Sequence, residues 1–242
     1  MQKVTFEHAP QDGFYKKLAE KIDAYFKDNN ISKKANWIFV LKILSYFIID
    51  IFIYLLILNG RFDGISLVLL FIIFGIFNSI FIFSVAHDAS HNAISNVHWV
   101  NQLFTYVWNA AGVSNYFWAL KHNVAHHSFT NIPGKDDDID QSKLVRLNPK
   151  SPRRWFHRYQ HIYAPFLYSL LSINIIYIKD FKLLLQHTFG NKSIIKHHSR
   201  EIWILIATKL IYIGYMVLLP KYIMDISWLE IIGYHFVMHL AT

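Results

Sequence analysis

Long apolar stretches with almost no charge limit what this sequence of 242 residues can fold into. Residues 37–58 contain two charged side chains, and residues 65–86 contain none. As a helix, either stretch reaches across a hydrocarbon core of about 30 Å, which takes roughly 20 residues. Residues 202–219 predict a third span, and a fourth begins near Trp228. We therefore expect an all-α integral membrane protein, a multi-pass bundle of four transmembrane helices.

Lysine and arginine indicate the orientation of these spans. Seven of the 24 basic residues lie in residues 1–35 and thirteen lie between residues 87 and 201, whereas each of the two short turns holds one. By the positive-inside rule the N-terminus and the middle segment are expected to be cytosolic. The net charge of +8 follows the membrane flanks, and no nucleic-acid motif appears. The expected partner is the lipid bilayer and not nucleic acid.

The chain divides into a short leading segment and one membrane domain. Residues 1–35 are expected to form a cytosolic N-terminal amphipathic segment, and residues 36–242 form the membrane domain. In the first segment four apolar residues recur at the spacing of one helix face: Phe14, Leu18, Ile22 and Phe26. From Trp228 to the end there are 15 residues. This is about 22 Å of helix and short of a full crossing, so we expect the membrane domain to be incomplete at the C-terminus.

Two further uncharged stretches are ambiguous. Residues 99–120 are rich in amide side chains and tryptophan, a composition typical of the headgroup level, and we interpret them as interfacial or buried in protein. Residues 162–178 contain Pro165 and Asn174 and are flanked by basic residues on both sides. Positive charge at both ends suggests that both ends of this stretch lie on one side of the membrane.

Histidine is abundant and cysteine is absent. The sequence has 14 histidines and no cysteine, which excludes disulfides, thiolate zinc sites and iron–sulfur clusters. Any metal would therefore be held by imidazole and carboxylate groups.

Five histidines form two boxes at the predicted cytosolic edge. His87 and His91 follow the second span, and on a helix residues four apart share one face, so both rings can reach one metal ion. His122 and His126 repeat this spacing. His127 is rotated by about 100° from His126 on an α-helix, which suits a second metal nearby. These five residues are the predicted metal ligands, and no catalytic residue separate from them is expected.

The histidine boxes and their surroundings resemble the membrane fatty acid desaturase family. The matching segments are H-D-A-S-H at 87–91, K-H-N-V-A-H-H-S-F-T-N at 121–131, the acidic run at 134–140, and residues 158–163. The last segment is similar to the bacterial and front-end, linoleoyl-CoA type branch of the family. The resemblance covers nearly the whole chain and rests on the two boxes together.

The resemblance implies a specific chemistry. It implies a four-span bundle whose cytosolic cap holds two iron ions, with O₂ as co-substrate and a fatty acyl-CoA or acyl-lipid as substrate. Electrons would come from a separate ferredoxin or cytochrome b5 type protein. The family has a third box, H/Q-x-x-H-H, after the fourth span, and this sequence ends before it. We therefore expect the chain alone to bind iron poorly and to be inactive.

The sequence alone also allows other functions. A fatty acyl or alkane hydroxylase would use the same histidine-box scaffold and the same oxidant. A zinc protease would account for His87 and His91, but Asp88 stands where the H-E-x-x-H motif has its glutamate base. A non-enzyme alternative is a histidine-rich membrane carrier of metal or haem, which needs imidazoles at mid-membrane depth. His235 and His239 lie there, but a polar contact between helices is the simpler interpretation.

Two groups of charged residues have alternative interpretations. One carboxylate of an acidic run nine residues beyond the second box is expected to accept an Nδ1–H from a ligand imidazole, unless the run is only a solvated loop. The run comprises Asp136, Asp137, Asp138 and Asp140, with Asn131 and Asp88 as similar candidates. A basic group either binds the phosphates of CoA or a lipid headgroup, or anchors the chain at the interface. It comprises Lys150, Arg153, Arg154 and Arg158.

Overall fold

The computed structural model describes residues 3–6, 13–139, 142–194 and 196–242, and helices dominate these segments. Asp140, one of the four aspartates of the acidic run, lies outside the described residues. The first helices are α1 (Phe14–Asp28), α2 (Trp37–Leu58), α3 (Gly64–Ile82), α4 (Asp88–Ser90), α5 (His98–Ala110) and α6 (Asn115–Ala119). They are followed by α7 (Gln160–Ser169), α8 (Leu171–Asn174), α9 (Asp180–Leu184), α10 (Ser199–Ile213), α11 (Leu219–Ile223) and α12 (Trp228–Ala241).

Short turns of π-helix and 3₁₀-helix connect several of these helices. The π turns are Phe83–His87, Leu120–His126, Ile175–Lys179 and Gly214–Leu218, and the 3₁₀ turn is Trp155–Tyr159. A π turn forms i→i+5 hydrogen bonds and is rare, occurring mostly as a single turn and frequently at functional sites. One of the four described π turns ends at His87 of the first box, and another contains His122 and His126 of the second box.

Three helices of the described chain are long and apolar enough to cross a membrane, which confirms the first three predicted spans. They are α2, the continuous helix Gly64–Ser90, and the continuous helix Ser199–Ile223. Local signals fix their starts. Asn36 caps α2 by accepting the Phe39 N–H at 3.0 Å, and Asp63 and Ser66 form a capping box at the start of α3.

Helix α12 begins at Trp228, where the sequence placed the fourth span, and has 14 described residues. It packs along α3. The two helices approach at Gly75, where a Cβ atom would collide with the backbone carbonyl of Met238. Small residues permit such close backbone contact between apolar helices. Gly75 is therefore a packing residue.

The two ambiguous stretches form broken helices. Helix α5 has 13 residues, about 20 Å, which is too short to cross a membrane and agrees with the interfacial or buried interpretation of residues 99–120. The helices Trp155–Ser169 and Leu171–Leu184 are bent by 57° where they meet. Together they are long and apolar enough for one further span, so up to four candidate spans lie within the described residues.

A small β-hairpin departs from the expectation of an all-α fold. Strands β1 (Thr188–Phe189) and β2 (Lys192–Ser193) pair antiparallel through a two-residue turn at Gly190 and Asn191. Gly-Asn is a common hairpin turn sequence, so a local signal was present. Phe189 is fully buried and packs with Phe117 beside the second box.

The lysine inside the third span has a buried partner. Lys209 Nζ lies 2.6 Å from Asp180 Oδ2 and donates to the Gly112 carbonyl at 2.5 Å. The same carboxylate oxygen accepts the Ser114 N–H at 2.9 Å. This network joins α10 and α9 to the connection between α5 and α6.

Helix α1, in contrast, is amphipathic, as predicted, and has no buried residue.

Candidate metal centre

The second histidine box lies in a π turn, which changes the geometry expected from an α-helix. In the first box the His91 N–H still donates to the His87 carbonyl four residues back, at 3.3 Å. The His127 N–H donates to the His122 carbonyl at 2.9 Å, an i→i+5 hydrogen bond. Because residues five apart stack above one another in such a turn, His127 lies on the same side as His122. Their Nε2 atoms are 3.1 Å apart. The rotation of about 100° from His126 was drawn for an α-helix, and the role of His127 as a ligand of a second metal nearby stays a prediction.

The two boxes meet at one cluster of rings. His87 Nε2 lies 3.3 Å from His122 Nε2, and the His91 ring centre lies 4.7 Å from that of His87 and 4.6 Å from that of His127. One nitrogen from each of His87, His91 and His122 falls within 4.8 Å of the others. A zinc–imidazole bond is about 2.0–2.1 Å long, so neighbouring ligands of one ion have nitrogens roughly 3 Å apart. The observed spacing fits shared metal ligation.

His126 adjoins this cluster and turns its Nδ1 towards the acidic loop. Its ring centre is 5.5 Å from that of His122 and 5.3 Å from that of His127. Its Nδ1 lies 2.9 Å from Asp136 Oδ1 and 3.3 Å from Asp138 Oδ2. A carboxylate at Nδ1 fixes the orientation and tautomer of a metal-binding imidazole and leaves Nε2 for the metal. The five rings of His87, His91, His122, His126 and His127 are hereafter the histidine cluster.

Asp136 is the carboxylate best placed for this role. It is fully buried, and it also accepts the backbone N–H groups of Asn131 at 2.8 Å and Asp138 at 2.9 Å. Burial alone would raise the pKa of its carboxyl, but these hydrogen bonds and His126 hold the pKa below its ordinary value. Asp136 is therefore ionised near neutral pH. Asn131 contributes its backbone and not its side chain to this contact.

The imidazole of His122 is held neutral. Burial, together with the neighbouring rings of His127 and His87, lowers its pKa to about 4. Burial and the same kind of neighbours also lower the pKa of His91. A neutral imidazole keeps the lone pair that a metal ion needs, so these two side chains are ready to act as ligands near pH 7.

Two residues within the second box connect it to its surroundings, and sequence reasoning missed both. Asn123 Nδ2 donates to the Ser90 carbonyl at 2.8 Å, which joins the second box to the first. Lys121 is buried, and its Nζ lies 2.6 Å from Asp138 Oδ1, which joins the box to the acidic loop. The only signal was their position on either side of His122.

The remaining predicted neighbours lie farther from the rings or outside the cluster. Asp88 Oδ1 is 3.5 Å from His87 Nδ1, a long contact. Asp137 accepts a hydrogen bond from Gln186 Nε2 at 3.4 Å. His235 and His239 make polar contacts with Tyr177 and Tyr212 on other helices, as the simpler interpretation expected. The basic group at Lys150, Arg153, Arg154 and Arg158 is exposed.

An apolar cavity of about 260 Å³ adjoins the histidine cluster. Trp118 lines this cavity, and its ring centre is 4.9 Å from that of His122 and 4.0 Å from that of Trp108. Phe83 and Ile82 line the same cavity on the helix that leads to His87. Trp118 therefore lies between the histidine cluster and an apolar space suited to a hydrocarbon chain.

Comparison with protein families decides the class. The family model described as fatty acid desaturase matches residues 64–242, which include both histidine boxes. The chain belongs to the fatty acid desaturase family. This confirms the resemblance recognised in the two boxes, and fatty acid desaturases are oxidoreductases of lipid metabolism.

Several curated desaturases are similar to this chain. It is 36% identical over 170 residues to the sn-1 linoleoyl-lipid 6-desaturase of Arthrospira platensis, across 70% of this chain and 45% of that protein. It is 30% identical over 226 residues to the acyl-lipid (8-3)-desaturase of Physcomitrium patens, across 91% of this chain and 47% of that protein.

This desaturase family chain spans about half the length of the curated relatives it matches. For the sn-1 linoleoyl-lipid 6-desaturase of Synechocystis, 27% identity over 210 residues covers 86% of this chain and 58% of that protein. No solved structure matches the chain.

Proposed function

We propose that this chain carries the two histidine boxes of an O₂-dependent di-iron desaturase that introduces a double bond into a fatty acyl chain. The observation that carries the proposal is the meeting of five imidazoles from two boxes beside Trp118, which lines an apolar cavity. Family membership supports the reaction class. The whole protein is proposed to be a four-span helical bundle with its N-terminus and histidine boxes in the cytosol. The distribution of lysine and arginine supports that orientation.

The donor set fits iron. Imidazole and carboxylate are ligands that non-haem iron uses, and the chain has no thiolate to compete. His87, His91 and His122 would hold metal through their clustered nitrogens, and His127, whose Nε2 lies 3.1 Å from that of His122, would join them. His126 would hold metal with its Nδ1 held by Asp136. When bound, the iron pair supplies the O₂ activation that breaking an unactivated C–H bond requires, because no protein side chain provides such an oxidant.

The residues of this chain would bind the metal and orient the acyl chain. The neutral ring of His122 offers a nitrogen lone pair, and Asp136 keeps the His126 proton on Nδ1. Trp118 and Trp108 stack into one apolar wall next to the cluster. That wall excludes water and directs an acyl chain towards the rings. Asn123 and Lys121 keep the two boxes and the acidic loop in register.

The substrate is proposed to be a fatty acyl chain carried by CoA or by a lipid. The relatives named above are acyl-lipid or linoleoyl-lipid desaturases, and this similarity favours the lipid. A separate ferredoxin or cytochrome b5 type protein would donate electrons. The exposed basic group would contact either membrane phosphates or the phosphates of the carrier, since both present the same negative charge.

A chimera tests the proposed reaction. The matched segment of this chain would replace the corresponding part of the Arthrospira relative, and the host's fatty acids would be analysed by mass spectrometry. We expect new double bonds, and their loss when His122 is replaced in the chimera (His122→Ala). Hydroxylated chains without new double bonds would support the hydroxylase alternative and contradict desaturation. A chimera with the same products before and after His122→Ala would contradict the site.

A further inference from the structure

A cluster of polar side chains lies within the apolar helices, away from the histidine cluster. His235 and His239 are four residues apart on α12, and their Nε2 atoms are 3.1 Å apart. Tyr177 Oη lies 2.7 Å from His235 Nε2, and Tyr212 Oη lies 3.0 Å from His239 Nε2. Ser172 Oγ lies 3.0 Å from His239 Nδ1. These five residues are hereafter the His–Tyr cluster.

The His–Tyr cluster places polar side chains where a membrane-spanning bundle usually has apolar ones. His239, Tyr212 and His235 are buried, and His239 lies about 16 Å along α12 from its first residue. Polar and ionisable groups inside a membrane are expensive and usually functional. Leucine or phenylalanine would fill the same space without that cost. A fully connected polar network, in contrast, fixes its members in one arrangement.

The His–Tyr cluster separates two apolar cavities. The first is the cavity of about 260 Å³ beside Trp118, whose far end is lined by Ser172, Tyr212 and His239. The second has about 360 Å³ and is lined by Tyr177, His235 and His239, together with Ile173, Val217 and Phe236. Its walls include exposed side chains, so it opens on the outer surface of the helices. His239 lines both spaces.

We propose that the His–Tyr cluster is a partition that limits how far an acyl chain extends beyond the histidine cluster, and so selects acyl chain length. Methylene groups cannot replace the hydrogen bonds of His239, so separating the ring from Tyr212 and Ser172 leaves buried polar groups unpaired. A chain that enters past Trp118 therefore stops at this wall, although apolar space continues behind it. This inference rests on the proposed function.

Removal of the partition gives a direct test. His239→Ala joins the two cavities, and each additional methylene group that becomes buried favours binding by roughly fourfold. Native mass spectrometry of the detergent-solubilised chain with an equimolar mixture of saturated fatty acids, from myristic to behenic, would count each complex. We expect the ratio of behenic to stearic acid complexes to rise at least fourfold in His239→Ala over the unchanged chain.

Three further variants make the result specific. His239→Gln keeps a polar side chain in the wall and should retain the original ratio. Tyr212→Phe removes one oxygen and should shift the ratio in the same direction as His239→Ala, by less, even where the alanine variant fails to fold. Tyr54→Phe removes a hydrogen bond to the Tyr215 carbonyl outside both cavities and should change nothing.

The outcomes separate this inference from the proposed function. An unchanged ratio in both His239→Ala and Tyr212→Phe, or an equal shift in Tyr54→Phe, would overturn the partition and leave the desaturase proposal intact. An unchanged chain that forms no complex with any fatty acid would also overturn the partition, because the cavity beside Trp118 would then not accept an acyl chain. The desaturase proposal concerns an acyl group on CoA or a lipid, and the chimera tests it independently.

Discussion

At the scale of single residues, Asp136 is the side chain through which the acidic loop acts on the histidine cluster. Its carboxylate contacts His126 Nδ1 and accepts two backbone N–H groups, so it is held rigidly and without solvent. The neighbouring Asp137 instead accepts a hydrogen bond from Gln186. The two adjacent aspartates therefore provide a matched pair for mutation.

We predict that Asp136→Asn weakens iron binding by roughly 10- to 100-fold, the usual effect of losing a carboxylate that orients a metal-binding imidazole. Asp137→Asn should leave iron affinity unchanged within about twofold, because Asp137 contacts Gln186 and not a metal-binding imidazole. Iron titration of the purified variants, followed by absorbance or calorimetry, measures both. Equal losses in the two variants would show that loop charge, and not the His126 contact, matters.

Residue types and spacing were enough to predict the members of the histidine cluster, but not which aspartate contacts it. The five histidines could be named from the sequence, because two boxes at one membrane edge rarely arise by chance. Which of the four aspartates faces a ring depends on the path of the loop between residues 131 and 138. Asp136 was therefore only one of several candidates until the fold placed it at 2.9 Å from His126.

At the scale of elements, the π turn Leu120–His126 determines how the rings of the second box face each other. An α-helix would separate His122 and His127, whereas the i→i+5 bond brings their Nε2 atoms to 3.1 Å. A π turn has no clear signal in the sequence, because its stability comes from contacts with other elements. The bond from Asn123 to Ser90, between boxes 33 residues apart, is one such contact.

We predict that Asn123→Ala lowers the free energy of unfolding by about 1 kcal/mol, the usual net value of one hydrogen bond. It should also reduce iron affinity, because the boxes lose a direct connection. Asn115→Ala removes a similar bond, from Asn115 Nδ2 to Thr105 Oγ1 at 3.2 Å, away from the rings. That control should lose comparable stability and keep its iron affinity. Chemical denaturation and iron titration give the two quantities.

At the scale of the whole molecule, the apolar spans were predictable and the buried charges between them were not. Burying a charged side chain in hydrocarbon is costly at every position, so hydropathy marks α2 and the helices that follow it. Lys209 was visible only as an exception within a span. Its partner, Asp180, is 29 residues away, and the pairing depends on how α10 packs beside α9.

We predict that Lys209→Met destabilises the fold by about 3–5 kcal/mol, because Asp180 remains buried without its counter-charge. The double variant Lys209→Met with Asp180→Asn should recover much of this loss, since the uncompensated charge is gone. Thermal unfolding in detergent measures the series. A double variant no more stable than Lys209→Met would contradict the ion pair as the source of the effect.

The central claim is that His87, His91, His122, His126 and His127 together bind iron. The most direct test is the iron content of the purified chain, compared with His122→Ala and with His98→Ala, a histidine outside the cluster. We predict iron in the unchanged chain that is lost in His122→Ala and retained in His98→Ala. Iron unaffected by His122→Ala would contradict the site itself.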